Sequence, residues 1–324
     1  LINTILSENS SVLDIASNDG TLLSYFKKQN HKVLGIEPSE SAFTLAMQKG
    51  IPTVNDFFNE DTSLRLLTDY GKFDLITATN IITHVKEPLQ FLKSCKRILK
   101  EKGSIVVEFY YFESIISNLA FDQIYHEHIS YFNMTTFVKL LNEAGLESYH
   151  AELATSQGGS LRVFISLPGK HRIDDSTINI LSAEGSFDQI KERYKKFATL
   201  AKERSKQIYE ILDLKRKEGK LIAGYGASAK AAVITNFLNI DASVVKAIAD
   251  LSTTKQGKYL PGTAIPIVSP QDLINLSPDI IIIFSWNIVD EIVKQLEVVF
   301  KKDLSILTFM PKIAEIKVYK GDAR

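Results

Sequence analysis

Between Ser11 and Phe109 the chain repeats one pattern, an apolar run of strand length followed by a stretch with apolar residues at helical spacing. Strands are expected over Ser11–Ala16, Lys32–Ile36, Phe73–Thr79 and Ser104–Phe109. Helices are expected over Thr21–Gln29, over Ser39–Lys49 with Ser39 as its N-cap, and over Pro88–Leu99, stopping near Gly103. Strands separated by helices can pair in parallel, because each helix carries the chain back across a sheet face. The order therefore predicts an α/β fold with a parallel sheet and helices on both faces. A helix over Thr135–Ala144, ended by Gly145, and a late strand over Ser160–Ser166 complete a first region ending about Leu167.

The pattern then lapses. From Asp174 to Glu218 the chain is rich in Lys, Glu and Arg, with Phe187, Ile190, Tyr194 and Phe197 at helical spacing and Ile208, Ile211 and Leu212 extending the stripe. One or two long amphipathic helices joining two domains are expected. The α/β pattern restarts with strands over Lys220–Ala223, Val244–Ala249 and Ile280–Phe284, a Gly-rich turn at Gly224–Ser228, and helices over Ala229–Leu238 and Ile288–Phe300. A length of 324 residues suits about two domains.

Charge and cysteine content narrow the function classes. Thirty-eight basic residues balance 38 acidic ones, which argues against a general nucleic-acid binder. Cys95 is the only cysteine, so a disulfide framework or cysteine-rich zinc site within this sequence is excluded and a reducing cytoplasm is expected. The apolar run ending at Phe284 has strand length, not the length of a membrane span, and no membrane association is expected. The first residue is Leu1, not methionine, so an N-terminal piece of a longer chain is expected to precede it.

The first strand runs into a tight turn, Asp14-Ile15-Ala16-Ser17-Asn18-Asp19-Gly20. Glu37 ends the second strand, where a carboxylate accepts hydrogen bonds from both hydroxyls of an adenosine ribose. Asp56 suits an adenine amino group, with Phe57 against the ring. The turn lacks the G-x-G-x-x-G fingerprint that seats a pyrophosphate, which favours an adenosine cofactor without phosphates. S-adenosyl-L-methionine fits that description. Asn80 and His84 follow the third strand run, where strand ends open onto a ligand crevice. His84 in such a place more often packs than catalyses.

Phe121-Asp122-Gln123-Ile124-Tyr125-His126-Glu127-His128 is a dense proton-handling cluster. In an extended segment residues 126 and 128 share one face and 125 and 127 the other, whereas a turn breaks that rule. Metal binding by the two histidines with Glu127 is an alternative. Gly158 and Gly159 permit close backbone approach or a left-handed turn, and Ser160 and Arg162 follow as substrate contacts, with a structural ion pair an equal reading of the arginine. In the last region the glycine-rich turn Gly224–Ser228, after a strand and before a helix, suits backbone N–H groups aimed at a phosphate, by itself a weak dinucleotide signal. Lys255 and Tyr259 lie in an expected loop, and Trp286 and Asn287 sit at a strand end, a ligand-facing position in open α/β sheets.

Taken in order, Asp14–Gly20, Gly35-Ile36-Glu37-Pro38, Tyr125–His128, Gly158–Arg162, Gly224–Lys230, Lys255–Ile267 and Ser285-Trp286-Asn287 resemble the S-adenosylmethionine-dependent sugar C-methyltransferases, which act on nucleotide-linked keto-deoxysugars. The resemblance covers nearly the whole chain. It implies a Rossmann-like methyltransferase domain over 1–167, a helical linker over 168–218, and a second Rossmann-like domain over 219–324 that binds the nucleotide sugar. It further implies Asp14, Ser17, Asn18, Gly20, Glu37, Asp56, Phe57 and Asn80 as cofactor residues. His128 becomes the general base, Tyr125 orients the sugar or the enolate oxygen, and Glu127 holds a sugar group or the histidine tautomer.

Substrate contacts are implied at His126, Gly158, Gly159, Ser160, Arg162, Tyr225, Ala227, Ser228, Lys230, Lys255, Tyr259, Trp286 and Asn287. The substrate would be a sugar linked to thymidine diphosphate, methylated beside a 4-ketone. The family also has an N-terminal zinc domain, so zinc is expected only where such a domain precedes Leu1, and Gln157 stands where the family often has histidine. Two other readings compete: a nicotinamide-dependent oxidoreductase using Gly224–Lys230, and a non-catalytic nucleotide-sugar-binding protein.

Overall fold

A computed structural model describes residues 5–300 and 302–318. It divides into two compact units, 1–114 with 127–189, and 115–126 with 190–324.

The first unit is built on a seven-stranded sheet. In chain order its elements are β1 (Ser11–Ile15), α1 (Thr21–Lys28), β2 (Lys32–Ile36), α2 (Glu40–Gln48), β3 (Thr53–Val54), α3 (Glu60–Tyr70), β4 (Phe73–Thr79), α4 (Pro88–Arg97) and β5 (Leu99–Tyr110). Then come α5 (Phe112–Ser117), whose last three residues belong to the second unit, and α6 (Met134–Ala144), β6 (Glu147–Ala154), β7 (Ser160–Ser166) and α7 (Asp175–Glu184). The strand order is β3-β2-β1-β4-β5-β7-β6. β1 to β5 pair in parallel, as expected, but β7 pairs antiparallel with both β5 and β6, so the sheet is mixed.

Period-two alternation divides this core between the two sheet faces. Val12, Leu75 and Val106 pack with Leu23 and Phe26 of α1 and Ala46 of α2. Their neighbours Leu13, Ile76 and Val107 pack with Leu66 of α3, Phe91 and Leu92 of α4, and Phe137 and Leu141 of α6.

The expectations erred in identifiable ways. β5 starts at Leu99, five residues before the expected Ser104, and the helix before it stops at Arg97. β6 went unread because its outer positions are polar and its register shifts between Ser148 and His150, which breaks a simple alternation. α3 is opened by a reciprocal pair, Asn59 capping Thr62 and Thr62 returning to the Asn59 N–H. The predicted N-cap Ser39 does precede α2, but its side chain makes no cap bond. Glu184, at the end of α7, accepts from the N–H groups of Met134 and Thr135 at the start of α6 and from the Tyr111 hydroxyl, which fixes α7 to this unit.

α8 (Phe187–Lys217) follows, with Ile190, Phe197, Ala201, Ile208 and Leu212 buried along one stripe and Phe187 exposed. The second unit continues through β8 (Ile222–Tyr225), α9 (Ala229–Phe237), β9 (Ile248–Ala249), β10 (Ile267–Val268), α10 (Pro270–Leu276), β11 (Ile280–Ile283), α11 (Val289–Val299), β12 (Leu304–Thr308) and β13 (Ala314–Val318). Its strand order is β10-β9-β8-β11-β12-β13, parallel except for β13. β9 is shorter than expected, because the N–H groups of Val244 and Val245 turn back onto the Asp241 carbonyl. Among the described residues no helix is long and apolar enough to cross a membrane.

Candidate active site

The strand order of the first sheet reverses between β1 and β4, which opens a crevice at their C-terminal ends. Asp14 lies in β1 opposite Gly35 on one side and Thr77 on the other. The Thr77 hydroxyl donates to it at 2.6 Å. Burial pushes its carboxyl up to about 7, against the Thr77 bond, with the Glu37 charge adding to the rise.

After β1 the backbone turns through left-handed conformations at Ala16, Asn18 and Gly20. That folds the turn over β2, where a Cβ on Gly35 would lie 2.4 Å from the Ser17 hydroxyl, so only glycine fits there. The turn then meets Glu37. One Glu37 oxygen accepts from the Asn18 N–H at 2.9 Å, the other from the Ser39 N–H at 2.8 Å. Each oxygen keeps a second acceptor position, so the carboxylate is aimed and still able to take a pair of hydroxyls.

The Asp56 carboxylate accepts from the Phe57 N–H and pairs with Arg65, and the Phe57 ring is 69% exposed. Asn80 follows β4 with a positive φ, its N–H donating to the Glu108 carbonyl at 2.7 Å. The Asn80 carbonyl oxygen and the Ser17 hydroxyl are buried with no hydrogen-bond partner in the structure. A ribose-type acceptor, an exposed aromatic face and two orphaned polar atoms along these strand ends suit an adenosine cofactor with an amino-acid tail.

His128 is buried, whereas His126 and Glu127 occupy an exposed turn and Tyr125 is half-buried. The turn breaks the alternation an extended segment would impose, so the two histidines do not share an environment. The His128 ring lies 4.9 Å, centroid to centroid, from His84, 4.7 Å from Tyr110 and 6.0 Å from Tyr131. His84 follows β4 and Tyr110 ends β5, so the imidazole stands at the same end of the sheet as Asn80. The N–H groups of Ile129 and Ser130 donate to the Thr83 carbonyl and fasten this segment beside His84. Burial raises the Tyr110 phenol above its ordinary value. Tyr110 and Tyr131 were missed from sequence, although a tyrosine ending a long apolar strand is a usable signal. Among the described residues no group of three or more His, Cys, Asp or Glu is placed to hold a metal ion.

Gly158 and Gly159 both take positive φ, and a Cβ on Gly159 would lie 2.6 Å from that of Ser114. Two neighbours read as substrate contacts have internal work instead. Ser160 is fully buried, its hydroxyl donating to the Ser156 carbonyl. Arg162 is held between Glu108 and Glu152, so the ion pair is the arrangement found. The reason is register: Arg162 faces Glu108 on β5 and Glu152 on β6.

In the second unit the chain order reverses between β8 and β11. Gly226 has a positive φ, and a Cβ there would lie 2.8 Å from the Ser285 hydroxyl. Ser228 caps α9 through the Ala231 N–H. Lys230 donates to Asn287 at 2.8 Å and lies over the Trp286 ring. Lys255 donates to the Ala227 carbonyl and pairs with Asp250, and Tyr259 is exposed. Ala227 is buried. Tyr225 differs from its expected role: its ring is buried in the core with Ile283 and Ile292 and its hydroxyl reaches Gln295, because alternation on β8 turns that side chain inward.

Residues 1–151 match the family model of a methyltransferase domain, and residues 155–311 that of a C-methyltransferase C-terminal domain. The chain is 28% identical over 290 residues to the C-methyltransferase NovU of Streptomyces niveus, a match covering 89% of this chain and 69% of that protein. It is 33% identical over 102 residues to the ubiquinone biosynthesis O-methyltransferase of Histophilus somni (strain 2336), covering 28% of this chain and 41% of that protein.

Proposed function

We propose that this chain, an S-adenosylmethionine-dependent C-methyltransferase, methylates a nucleotide-linked keto-deoxysugar at the carbon beside the ketone. The observation that carries the reading is the buried His128 imidazole, set among His84 and Tyr110 at the cofactor end of the first sheet. A methyltransferase that forms a carbon–carbon bond must first make a carbon nucleophile, and a proton beside a carbonyl is the one an imidazole can remove.

His128 takes that proton; the C–H electron pair becomes the enolate double bond, and charge moves to the carbonyl oxygen. Tyr125 donates to that oxygen, and Glu127 and His126 engage sugar groups. His84 and Tyr110 hold the His128 ring and keep water from it. Glu37 holds the cofactor's ribose, Phe57 covers its adenine beside Asp56, and Ser17 and Asn80 take its polar tail. S-adenosylmethionine supplies the electrophilic methyl group when bound. Within the second unit Ser228, Lys255 and Tyr259 are the groups this reading assigns to the thymidine diphosphate. The single buried Cys95 supports a reducing cytoplasm as its setting. Methyltransferase models on both halves of the chain leave no support for the nicotinamide reading.

Incubation with a thymidine diphosphate 4-keto-deoxysugar in deuterated water tests this. The wild-type protein exchanges the α-proton, and His128→Asn slows exchange by about 100-fold or more. Exchange persisting in that variant removes His128 as the base. A wild-type protein that neither exchanges nor methylates any nucleotide keto-sugar refutes the substrate class.

A further inference from the structure

We propose that Asp122 and Trp286 form a latch that holds residues 115–126 on the second unit and thereby sets the position of Tyr125 and His126. The catalytic part of this inference rests on the reading that the Tyr125–His128 segment serves methyl transfer. The latch itself does not.

Residues 115–126 pack with the second unit, although the chain on either side, up to Ser114 and from Glu127, packs with the first. The segment is therefore a strap whose hold on the second unit must come from its own side chains. Ile115, Leu119 and Ala120 are buried in it, and Phe121, Asp122 and Gln123 form a short 3-10 turn that is buried throughout. Phe121 packs against Phe237 of α9, with ring centroids 5.4 Å apart. Apolar packing of this kind holds a strap without defining its register.

Asp122 defines the register. A fully buried aspartate is costly unless a specific partner meets it, and here the partner is directional: the Trp286 indole N–H donates to one carboxylate oxygen at 2.8 Å. Lys230 completes the set, its ammonium 4.9 Å from the Trp286 ring centroid and 2.8 Å from the Asn287 side-chain oxygen. Burial pushes the Asp122 carboxyl up to about 6 while Lys230 and the indole pull it down, so the charge depends on these two neighbours. The other Asp122 oxygen is buried with no hydrogen-bond partner among the described residues, and the Trp286 N–H is the side-chain donor the carboxylate has there. Slipping the strap by one residue would bury the carboxylate without its donor.

This changes the reading of two residues. Trp286 and Lys230 stand where strand ends meet a ligand, yet the indole N–H is committed to Asp122 and the ammonium to Asn287 and the ring. Asp122 and Trp286 are thus positioning residues for Tyr125, which lies three residues after Asp122.

Trp286 is the only tryptophan, so its emission reports the latch without a label. In the full chain Asp122→Ala is expected to move that emission to longer wavelength and to speed native-state proteolysis within residues 115–130. It should also lower kcat for methyl transfer by about 10- to 100-fold, with KM for S-adenosylmethionine within about twofold. Asp122→Asn keeps an acceptor for the indole and should restore both the protection and part of kcat. Trp286→Phe keeps the ring packing, loses the donor and should show the same faster cleavage, which decides the matter where Asp122→Ala folds poorly. Wild-type emission and cleavage in Asp122→Ala, or wild-type cleavage in Trp286→Phe, overturns the latch. If no nucleotide sugar is methylated even by the wild type, the emission and cleavage results still decide the latch, and only the substrate reading falls.

Discussion

Glu37→Gln separates the cofactor role of the first unit from its folding. In the wild type each carboxylate oxygen takes one backbone N–H, from Asn18 or from Ser39, and keeps one acceptor position. Glutamine has one acceptor oxygen. Whichever way the amide turns, its NH2 faces one of those N–H groups, and one position toward the ribose is lost. A hydrogen bond to a charged acceptor contributes about 1.5–3 kcal/mol, so affinity for S-adenosylhomocysteine should fall by roughly 10- to 150-fold. The facing N–H costs about 1–3 kcal/mol of stability in addition. Calorimetric titration reads the first effect and urea unfolding the second. The kinetic counterpart is a raised KM for S-adenosylmethionine with kcat nearly unchanged at saturation, the signature of lost uniform binding. An affinity within about twofold of wild type would refute the assignment of Glu37 to the ribose, even if stability fell as stated.

Two further predictions concern buried carboxylates. Glu184→Ala leaves the Met134 and Thr135 N–H groups and the Tyr111 hydroxyl without their acceptor. It should destabilise the first unit by about 3–5 kcal/mol, read as a lowered urea midpoint. Asp14 titrates near 7 when folded, well above an ordinary carboxyl near 4, so folding favours its protonated form. The stability it contributes is fully present below about pH 4 and is lost as pH rises through about 7. Asp14→Asn imitates the protonated state, so unfolding midpoints of the variant should gain on wild type between pH 4 and 8. A constant difference across that range would show that Asp14 is not proton-linked.

The legible parts of this chain are those governed by short-range physics. Apolar runs of strand length alternating with helical stripes announced two α/β units, and the turn after β1 meets Glu37 at the expected strand end, because side-chain periodicity and the strand-end rule act over a few residues. β6 escaped because polar edge positions carry no alternation. Ser160, Arg162 and Tyr225 were assigned to substrate because they stand in a motif. Their partners, Ser156, the Glu108–Glu152 pair and Gln295, are chosen by strand register and helix packing, which the local sequence does not encode.

His128 shows the division most clearly. The sequence by itself determined that a proton-handling cluster follows the first α/β repeats, since residue types and order suffice for that. Only the tertiary structure decided which histidine is buried, because a turn at His126–Glu127 separates them and the ends of β4 and β5 supply His84 and Tyr110 as its neighbours. It likewise decided that Asp122 meets Trp286, a pair 164 residues apart. Composition and periodicity act along the chain, whereas desolvation and hydrogen-bond pairing act across space, and the chemistry of a buried group follows the second.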